Sequence, residues 1–215
     1  KNDPSRIKNQ LELIPGLIDS TVPVHRSIST DKFTKAKLAN LIREYRDKFG
    51  PVGDSDGMPV IPTLGTRASV MVITDAPSRS EDRAGKMAMG DSFKSVEKAL
   101  EQAGLTKADV YWTSLLKRPK EGKVITKTEL DNYEPYLKKE IELLKPPAIV
   151  LLGSQVVRQF ISDFKGKASD AAGKIVYSKE LDANLVIGFA PGEIYYDGDK
   201  QEVLNGVFIE AATLI

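Results

Sequence analysis

The segment Val70-Met-Val-Ile-Thr-Asp75-Ala-Pro77-Ser-Arg-Ser-Glu81-Asp82-Arg-Ala-Gly85-Lys86 decides the expected fold of this 215-residue chain. It opens with a short apolar run, and a carboxylate, a proline and a charged loop follow. An apolar run of this length between turn residues is typical of a strand that is buried on both faces of a sheet. Asp75 is therefore predicted at the carboxyl end of a strand, where open α/β sheets bind their ligands.

Patterns typical of strands and helices alternate along the chain. Apolar runs predict four strands, at 69–73, 110–116, 148–152 and 185–189. Apolar residues at helical spacing predict helices over 38–49, 93–103, 126–144 and 154–161, and a last helix after residue 199. This alternation favours an α/β fold of three layers (α/β/α), with a central four-stranded, mostly parallel sheet between two layers of helices.

Residues that commonly cap helices occur near the predicted helix starts. Either Asp91 or Ser92 is expected to cap the helix over the following residues. The Thr126-x-x-Glu129 pattern predicts a capping box, and the helix that it opens is expected to kink or restart at Pro135. Asp199-x-x-Glu202 is expected to cap the last helix.

The chain divides into an extension and one domain. Residues 1–33 are mixed in composition and are expected to form an amino-terminal extension, with a single domain over residues 34–215. The stretch 51–66 is rich in Gly, Pro and Asp, which predicts a long loop. If the sheet is parallel, four segments converge at the carboxyl ends of its strands: 75–86, 114–120, 153–155 and 190–199.

The composition excludes several kinds of site. Lys and Arg number 31 against 30 Asp and Glu, so any contact with nucleic acid must come from local clusters of charge. The absence of Cys excludes disulfides, thiolate zinc sites, a cysteine nucleophile and cysteine-ligated iron–sulfur clusters. The one histidine is His25, which lies in the extension, and no cofactor is indicated.

The sequence contains no signal for membranes or export. No apolar run reaches the length of about 18 residues that a membrane span requires, and no signal peptide is visible. A cytoplasmic location is therefore expected. Because the first residue is Lys rather than Met, the chain is expected to be processed or to be a piece of a longer one.

Several segments together resemble the uracil-DNA glycosylase superfamily, in the branch that carries an iron–sulfur cluster. Asp75-Ala-Pro-Ser with the later Glu81-Asp82 is similar to the family's Gly-Glu-Ala-Pro-Gly motif and its Glu-Asp pair. Thr113-Ser-Leu-Leu-Lys117-Arg-Pro119 is similar to the family's Thr-Asn-x-x-Lys-x-Arg-Pro segment, and Glu134-Pro-Tyr-Leu137 resembles its Pro-Tyr-Leu helix. The resemblance covers roughly residues 70–160.

The resemblance implies a pocket for a base that is flipped out of DNA. The family uses a carboxylate, a stacking aromatic ring, an amide that reads the base edge and a histidine. The matching residues here are Asp75, Ala88, Ser114 and Ala190, so only the carboxylate is retained. The base-pocket positions that the resemblance implies are Ala76, Pro77, Ser78, Ala88, Ser114, Ala190 and Pro191. Since the family's cluster cysteines are absent, no metal is expected.

Structural roles compete with functional ones at most of these positions. Asp75 can accept hydrogen bonds from amides of its own loop, which is the alternative to a catalytic role. Glu81 and Asp82 are expected to be solvated acids of the loop. Tyr195 lies where the superfamily often carries a side chain that fills the gap left by a flipped base, but packing under the last helix is an equal alternative.

Basic and polar residues near the strand ends are the candidates for contacts with DNA. They are Arg79, Lys86, Lys117, Arg118, Ser154 and Tyr195. Ordinary surface charge is the alternative for the basic side chains. The partners implied are DNA, bound weakly and without sequence preference, and other replication proteins or further domains of the same polypeptide.

Three functions fit these observations. The leading hypothesis is a catalytically degenerate glycosylase-like module that contacts DNA or docks a protein within a replication or repair protein, such as a phage DNA polymerase. The alternative is an active glycosylase that uses Asp75 on uracil or a modified base. A third hypothesis is an α/β domain that binds a small molecule and is unrelated to DNA.

Overall fold

A computed structural model describes residues 21–24, 26–51, 57–120 and 122–215. The helices in this part of the chain are α1 (Lys32–Lys48), α2 (Arg79–Ala84), α3 (Asp91–Gln102), α4 (Lys127–Leu144), α5 (Ser154–Phe160) and α6 (Lys200–Ala212). The strands are β1 (Thr63–Leu64), β2 (Val70–Thr74), β3 (Val110–Ser114), β4 (Ala148–Leu152), β5 (Ile175–Ser178) and β6 (Ala183–Gly188). Short 3₁₀ helices span Lys107–Asp109, Ala168–Ala171 and Pro191–Tyr195.

All of these strands belong to one sheet, in the order β1-β3-β2-β4-β6-β5. Its four central strands are parallel, and β1 and β5 pair antiparallel at the two edges. The predicted α/β fold with a parallel four-stranded centre is confirmed, but the sheet has six strands. The two edge strands were missed because β1 has only two residues and β5 is fully buried only at Ile175, so neither carries a strong apolar pattern.

Helices cover both faces of the sheet. Successive side chains of a strand point to opposite faces of the sheet. Trp112 therefore faces one helical layer, and its neighbours Tyr111 and Thr113 face the other. The Trp112 ring packs edge-on against Phe93 of α3. The Thr113 hydroxyl instead donates to Glu140 of α4, at 2.7 Å. The parallel strands are buried along their whole length, which explains why they read as continuous apolar runs.

One predicted helix cap is wrong, and another is confirmed in position only. Gly90, not Asp91 or Ser92, is the N-cap of α3, and no side chain caps this helix end. Gly90 has φ +81°, and a Cβ there would lie 2.5 Å from the Ser80 Cβ, so the position requires glycine. Asp199 is the N-cap of α6, but its side chain makes no capping bond.

The predicted capping box of α4 is confirmed. The Glu129 amide donates to the Thr126 hydroxyl at 3.3 Å, and the Thr126 amide donates to the Glu129 carboxylate at 2.8 Å. The helix does not restart at Pro135, which lies inside one continuous helix of 18 residues. Pro135 and Asp131 are both exposed, so water can bind the Asp131 carbonyl, which loses its helical donor to the proline.

The described part of the amino-terminal extension packs on the domain. The Asn184 side chain donates to the Val22 carbonyl at 2.8 Å and accepts from the Val22 amide at 3.3 Å. Arg26 donates to the Lys145 carbonyl at 2.7 Å and forms an ion pair with Asp182. The predicted boundary after residue 33 stays a prediction, and residues 1–20 and His25 lie outside the described residues. Among the described helices, none is long and apolar enough to cross a membrane.

Candidate functional site

The carboxyl ends of the parallel strands line up in register at one edge of the sheet. Thr74 is paired with Ser114 on one side and with Leu152 on the other, and Leu152 is paired with Gly188. The segments that follow these strands therefore start side by side. Two hydrogen bonds hold them together: the Leu116 amide donates to the Asp75 carbonyl at 3.1 Å, and the Gly153 amide donates to the Gly188 carbonyl at 3.0 Å.

Asp75 follows β2 directly, and its carboxylate is engaged within the fold. One carboxylate oxygen accepts from the Ala76 amide at 2.9 Å, which confirms the predicted bond to an amide of its own loop. The other oxygen forms an ion pair with Lys120, whose side chain crosses from the segment after β3. The two side chains are 24% and 30% exposed, so the pair is open to solvent on one side. The carboxylate is thus hydrogen-bonded, and the Lys120 ammonium balances its charge.

Glu81 organises the loop after β2, and the prediction that it is a solvated acid is wrong. Its side chain is buried, whereas Asp82 is partly exposed. The Glu81 carboxylate accepts from the Ser78 amide and from the Ala88 amide, both at 2.8 Å. The Ser78 hydroxyl accepts from the Glu81 amide, which completes a capping box at the start of α2. The Ser78-x-x-Glu81 spacing is a recognisable signal for this short helix, which the sequence analysis missed.

Few polar groups at the base-pocket positions are free to bind a ligand. Ala88 is buried with φ +63°, and its carbonyl accepts from the Lys107 ammonium at 2.8 Å. Ser114 is buried, and its hydroxyl donates to the Leu116 carbonyl and lies 3.8 Å from the Met87 sulfur. Pro77 and Pro191 are buried, whereas Ala76, Ser78 and Ala190 are partly exposed. A Cβ on Gly153 would lie 3.8 Å from the Ala190 Cβ, so the ends of β4 and β6 meet at this point.

Lys117 is not a surface cation, and its interpretation as a contact for DNA phosphate is wrong. Its side chain is only 1% exposed. The ammonium lies 2.8 Å from the Glu140 carboxylate, donates to the Thr113 hydroxyl at 2.7 Å and donates to the Ser114 carbonyl at 3.1 Å. The charge is therefore satisfied in the interior between β3 and α4, where it cannot reach a ligand.

Two tyrosines share the buried environment of this ion pair. Burial and the nearby Glu140 carboxylate raise the pKa of Tyr45 and of Tyr111 above the ordinary value, so both phenols stay neutral. The Tyr45 hydroxyl donates to the Val60 carbonyl at 3.1 Å. Tyr45 thus connects α1 with the segment before β1, and its ring centre lies 6.0 Å from the Lys117 ammonium.

The other residues predicted to contact DNA differ in whether their side chains are already bonded within the fold. The Arg118 guanidinium donates to the carbonyls of Phe49 and Gly50, both at 2.6 Å, so it holds the end of α1. The Ser154 hydroxyl accepts from the Ala168 amide at 2.9 Å. Arg79, Lys86 and Tyr195 are exposed. Of the six predicted residues, these three are the exposed ones, whereas Arg118 and Ser154 are partly exposed and already bonded within the fold.

Within the described ranges, no three acidic or histidine side chains are grouped as the ligands of a metal ion would be.

The parallel sheet between two helical layers, with its candidate site at the carboxyl ends of the strands, defines a domain of the doubly wound α/β class. Comparison with known proteins then gives the family. A sequence profile of the uracil DNA glycosylase superfamily matches residues 61–204, and the chain belongs to this superfamily.

Relatives of two kinds match the chain. A Yersinia pestis protein named DNA polymerase III subunit alpha is 30% identical over 99% of this chain, which spans 18% of the length of that protein. A Pyrobaculum aerophilum protein named Type-4 uracil-DNA glycosylase is 29% identical over 66% of this chain and 74% of its own length. A protein of the same name from Archaeoglobus fulgidus is 34% identical over 47% of this chain and 51% of its own length.

Proposed function

We propose that this chain is a glycosylase-fold domain that has lost base excision and contacts DNA as part of a DNA replication or repair protein. The proposal rests on the polar groups at the site, which are either engaged within the fold or missing. The Asp75 carboxylate forms an ion pair with Lys120, and the Ser114 hydroxyl donates to the Leu116 carbonyl. Ala88 and Ala190 add no ring or imidazole where the family resemblance implies one.

The relative from Yersinia pestis supports a place within a larger replication protein. Almost the whole of this chain matches a small part of a protein that is named as a DNA polymerase subunit. A domain that contacts the template or another replication protein fits such a context without a need for catalysis. Attachment to a phage DNA polymerase is a narrower form of the same proposal, and the cytoplasmic location expected from the sequence stays a prediction.

Two observations favour the alternative, an active glycosylase that acts on uracil or a modified base. Asp75 retains a carboxylate at the strand end, and about a quarter of its side chain is exposed. Relatives named as Type-4 uracil-DNA glycosylases cover up to two thirds of the chain. In this alternative the Lys120 side chain would have to leave Asp75 when substrate binds, since it occupies one of the two carboxylate oxygens.

An excision assay separates the two functions. With single-stranded uracil DNA and excess protein, we expect no product, because losing well-placed polar groups typically costs roughly 10²–10³-fold each. Lys120→Met, which frees Asp75, should also give no product, since the other pocket functions are still missing. Clear product from the natural chain that disappears in Asp75→Asn would establish the alternative and refute the proposal.

A further inference from the structure

Two neighbouring tyrosines are exposed just after β6, beyond the base-pocket positions. Tyr195 and Tyr196 end the 3₁₀ helix Pro191–Tyr195 and are 61% and 94% exposed. We call these two residues the tyrosine face. Neighbouring exposed apolar groups of this kind are typical of surfaces that bind a partner.

The backbone under the tyrosine face is firmly held. The Tyr196 amide donates to the Glu193 carbonyl at 3.1 Å, and Ile194 packs against the core. The Gln201 side chain donates to the Ser95 carbonyl of α3 at 3.0 Å, which fixes the start of α6. Because tyrosine has few rotatable bonds and its support is rigid, ordering these rings on binding costs little entropy.

The carboxylates around the tyrosine face are exposed. Asp197, Asp199 and Glu202 all lie in the turn after Tyr196 or in the first turn of α6, and all three are exposed. Their charge would repel the phosphates of a nucleic acid. It would attract ammonium and guanidinium groups, which also bind the faces of tyrosine rings.

The neighbouring lysines do not cancel this charge, because each already has a carboxylate partner. Lys200 forms an ion pair with Glu193, and its ammonium lies 5.5 Å from the centre of the Phe189 ring. Lys94 of α3 forms an ion pair with Asp91 at 2.7 Å. The surface around the tyrosine face therefore carries a net negative charge.

We propose that the tyrosine face docks a basic segment of a protein partner. In this interaction, arginine or lysine side chains lie on the rings of Tyr195 and Tyr196 and pair with the carboxylates of residues 197–202. Exposed, rigid aromatic side chains flanked by charge are the usual anchors of protein interfaces. The proposal goes beyond the DNA-contacting function and does not depend on it.

Fluorescence anisotropy with a labelled peptide of sequence Gly-Leu-Arg-Leu-Arg-Leu-Gly tests the proposal. The same peptide with citrulline in place of both arginines keeps the shape and removes the charge. We expect the arginine peptide to bind more tightly and to lose affinity as salt increases. Tyr196→Ala should weaken its binding about threefold, as expected for one exposed cation–π contact. Asp197→Asn/Asp199→Asn should have an effect of about the same size.

Matched variants elsewhere on the surface control for general effects. Phe33→Ala removes an exposed ring of α1, and Asp47→Asn/Glu180→Gln removes two exposed carboxylates at other sites, so both should bind the peptide like the natural chain. Equal binding of the citrulline peptide, or equal effects of test and control variants, would overturn the proposal. So would a Tyr196→Ala variant that binds oligo-dT less tightly and the arginine peptide equally well, since the tyrosines would then stack on bases.

Discussion

Lys117 and Glu140 form an ion pair in the interior of the domain, and this pair gives Lys117 a structural role. The two side chains are 1% and 0% exposed, and Thr113 bonds to both of them. Buried charges are tolerated only when they are paired and hydrogen-bonded, and this network meets both conditions. Lys117 lies next to Arg118 in the sequence, but it is bound within the core and cannot contact a ligand.

Removing the Lys117 ammonium alone should destabilise the domain strongly. Lys117→Met leaves Glu140 buried without a cation, and breaking a buried pair in this way typically costs about 3–5 kcal/mol of unfolding free energy. Urea unfolding measures the loss. Lys117→Met/Glu140→Leu, which removes both charges, should recover most of it.

Lys179→Met is the matched control, because Lys179 is exposed in the turn between β5 and β6. Its unfolding free energy should change by no more than about 0.5 kcal/mol. If Lys117→Met unfolded at the same urea concentration as this control, the ion pair between Lys117 and Glu140 would contribute nothing.

Helix α2 and the segment after it are held by one carboxylate. Glu81 closes the capping box with Ser78 and also accepts from the buried amide of Ala88. It thereby fixes Ala88 in its left-handed conformation, with φ +63°, beside the candidate pocket. A six-residue helix has little stability of its own, so this tertiary bond decides where the segment lies.

Glu81→Ala should therefore loosen this segment as well as the helix. Two amides lose their acceptor, which should lower the unfolding free energy by about 1–3 kcal/mol, and exchange of the Ala88 amide proton should become faster. Urea unfolding and hydrogen exchange by NMR measure the two effects. Asp82→Ala, at the next position, should change neither, and similar behaviour of the two variants would argue against the role of Glu81.

The distribution of charge over the domain limits how tightly DNA can bind. With Lys117 buried and Arg118 engaged with the end of α1, Arg79 and Lys86 are the exposed cations left from the predicted set. The chain is close to neutral overall, and carboxylates surround the tyrosine face. Any attraction of DNA phosphates must therefore be local and sensitive to salt.

We expect nonspecific DNA binding with a Kd on the order of 10⁻⁴–10⁻⁶ M at physiological salt. Arg79→Ala/Lys86→Ala should weaken it and should lower the slope of log K against log salt by up to about 2, one unit for each lost phosphate contact. Fluorescence anisotropy over a salt series provides both values. Lys35→Ala/Lys179→Ala removes the same charge elsewhere and should have no effect on the slope. If no DNA bound even at low salt, docking of a protein would become the better account of the domain.

Elements whose signals are local could be predicted from the amino-acid sequence. The four parallel strands were predictable because strands buried on both faces need unbroken apolar runs, and Asp75 was placed correctly because it follows one of these runs. The capping box of α4 was predictable because its partners are three residues apart. The family resemblance followed from the order of such segments.

Which charged side chains are free depends on how distant elements pack together. Lys117 is satisfied by Glu140 on another element, and Arg118 by carbonyls 69 and 68 residues away in the chain. Sequence spacing contains no signal for such partners, since they meet only after the helices pack on the sheet. The free energy of a charged group depends on whether a distant partner replaces its lost water, so the same residue type can lie in the core or contact a ligand.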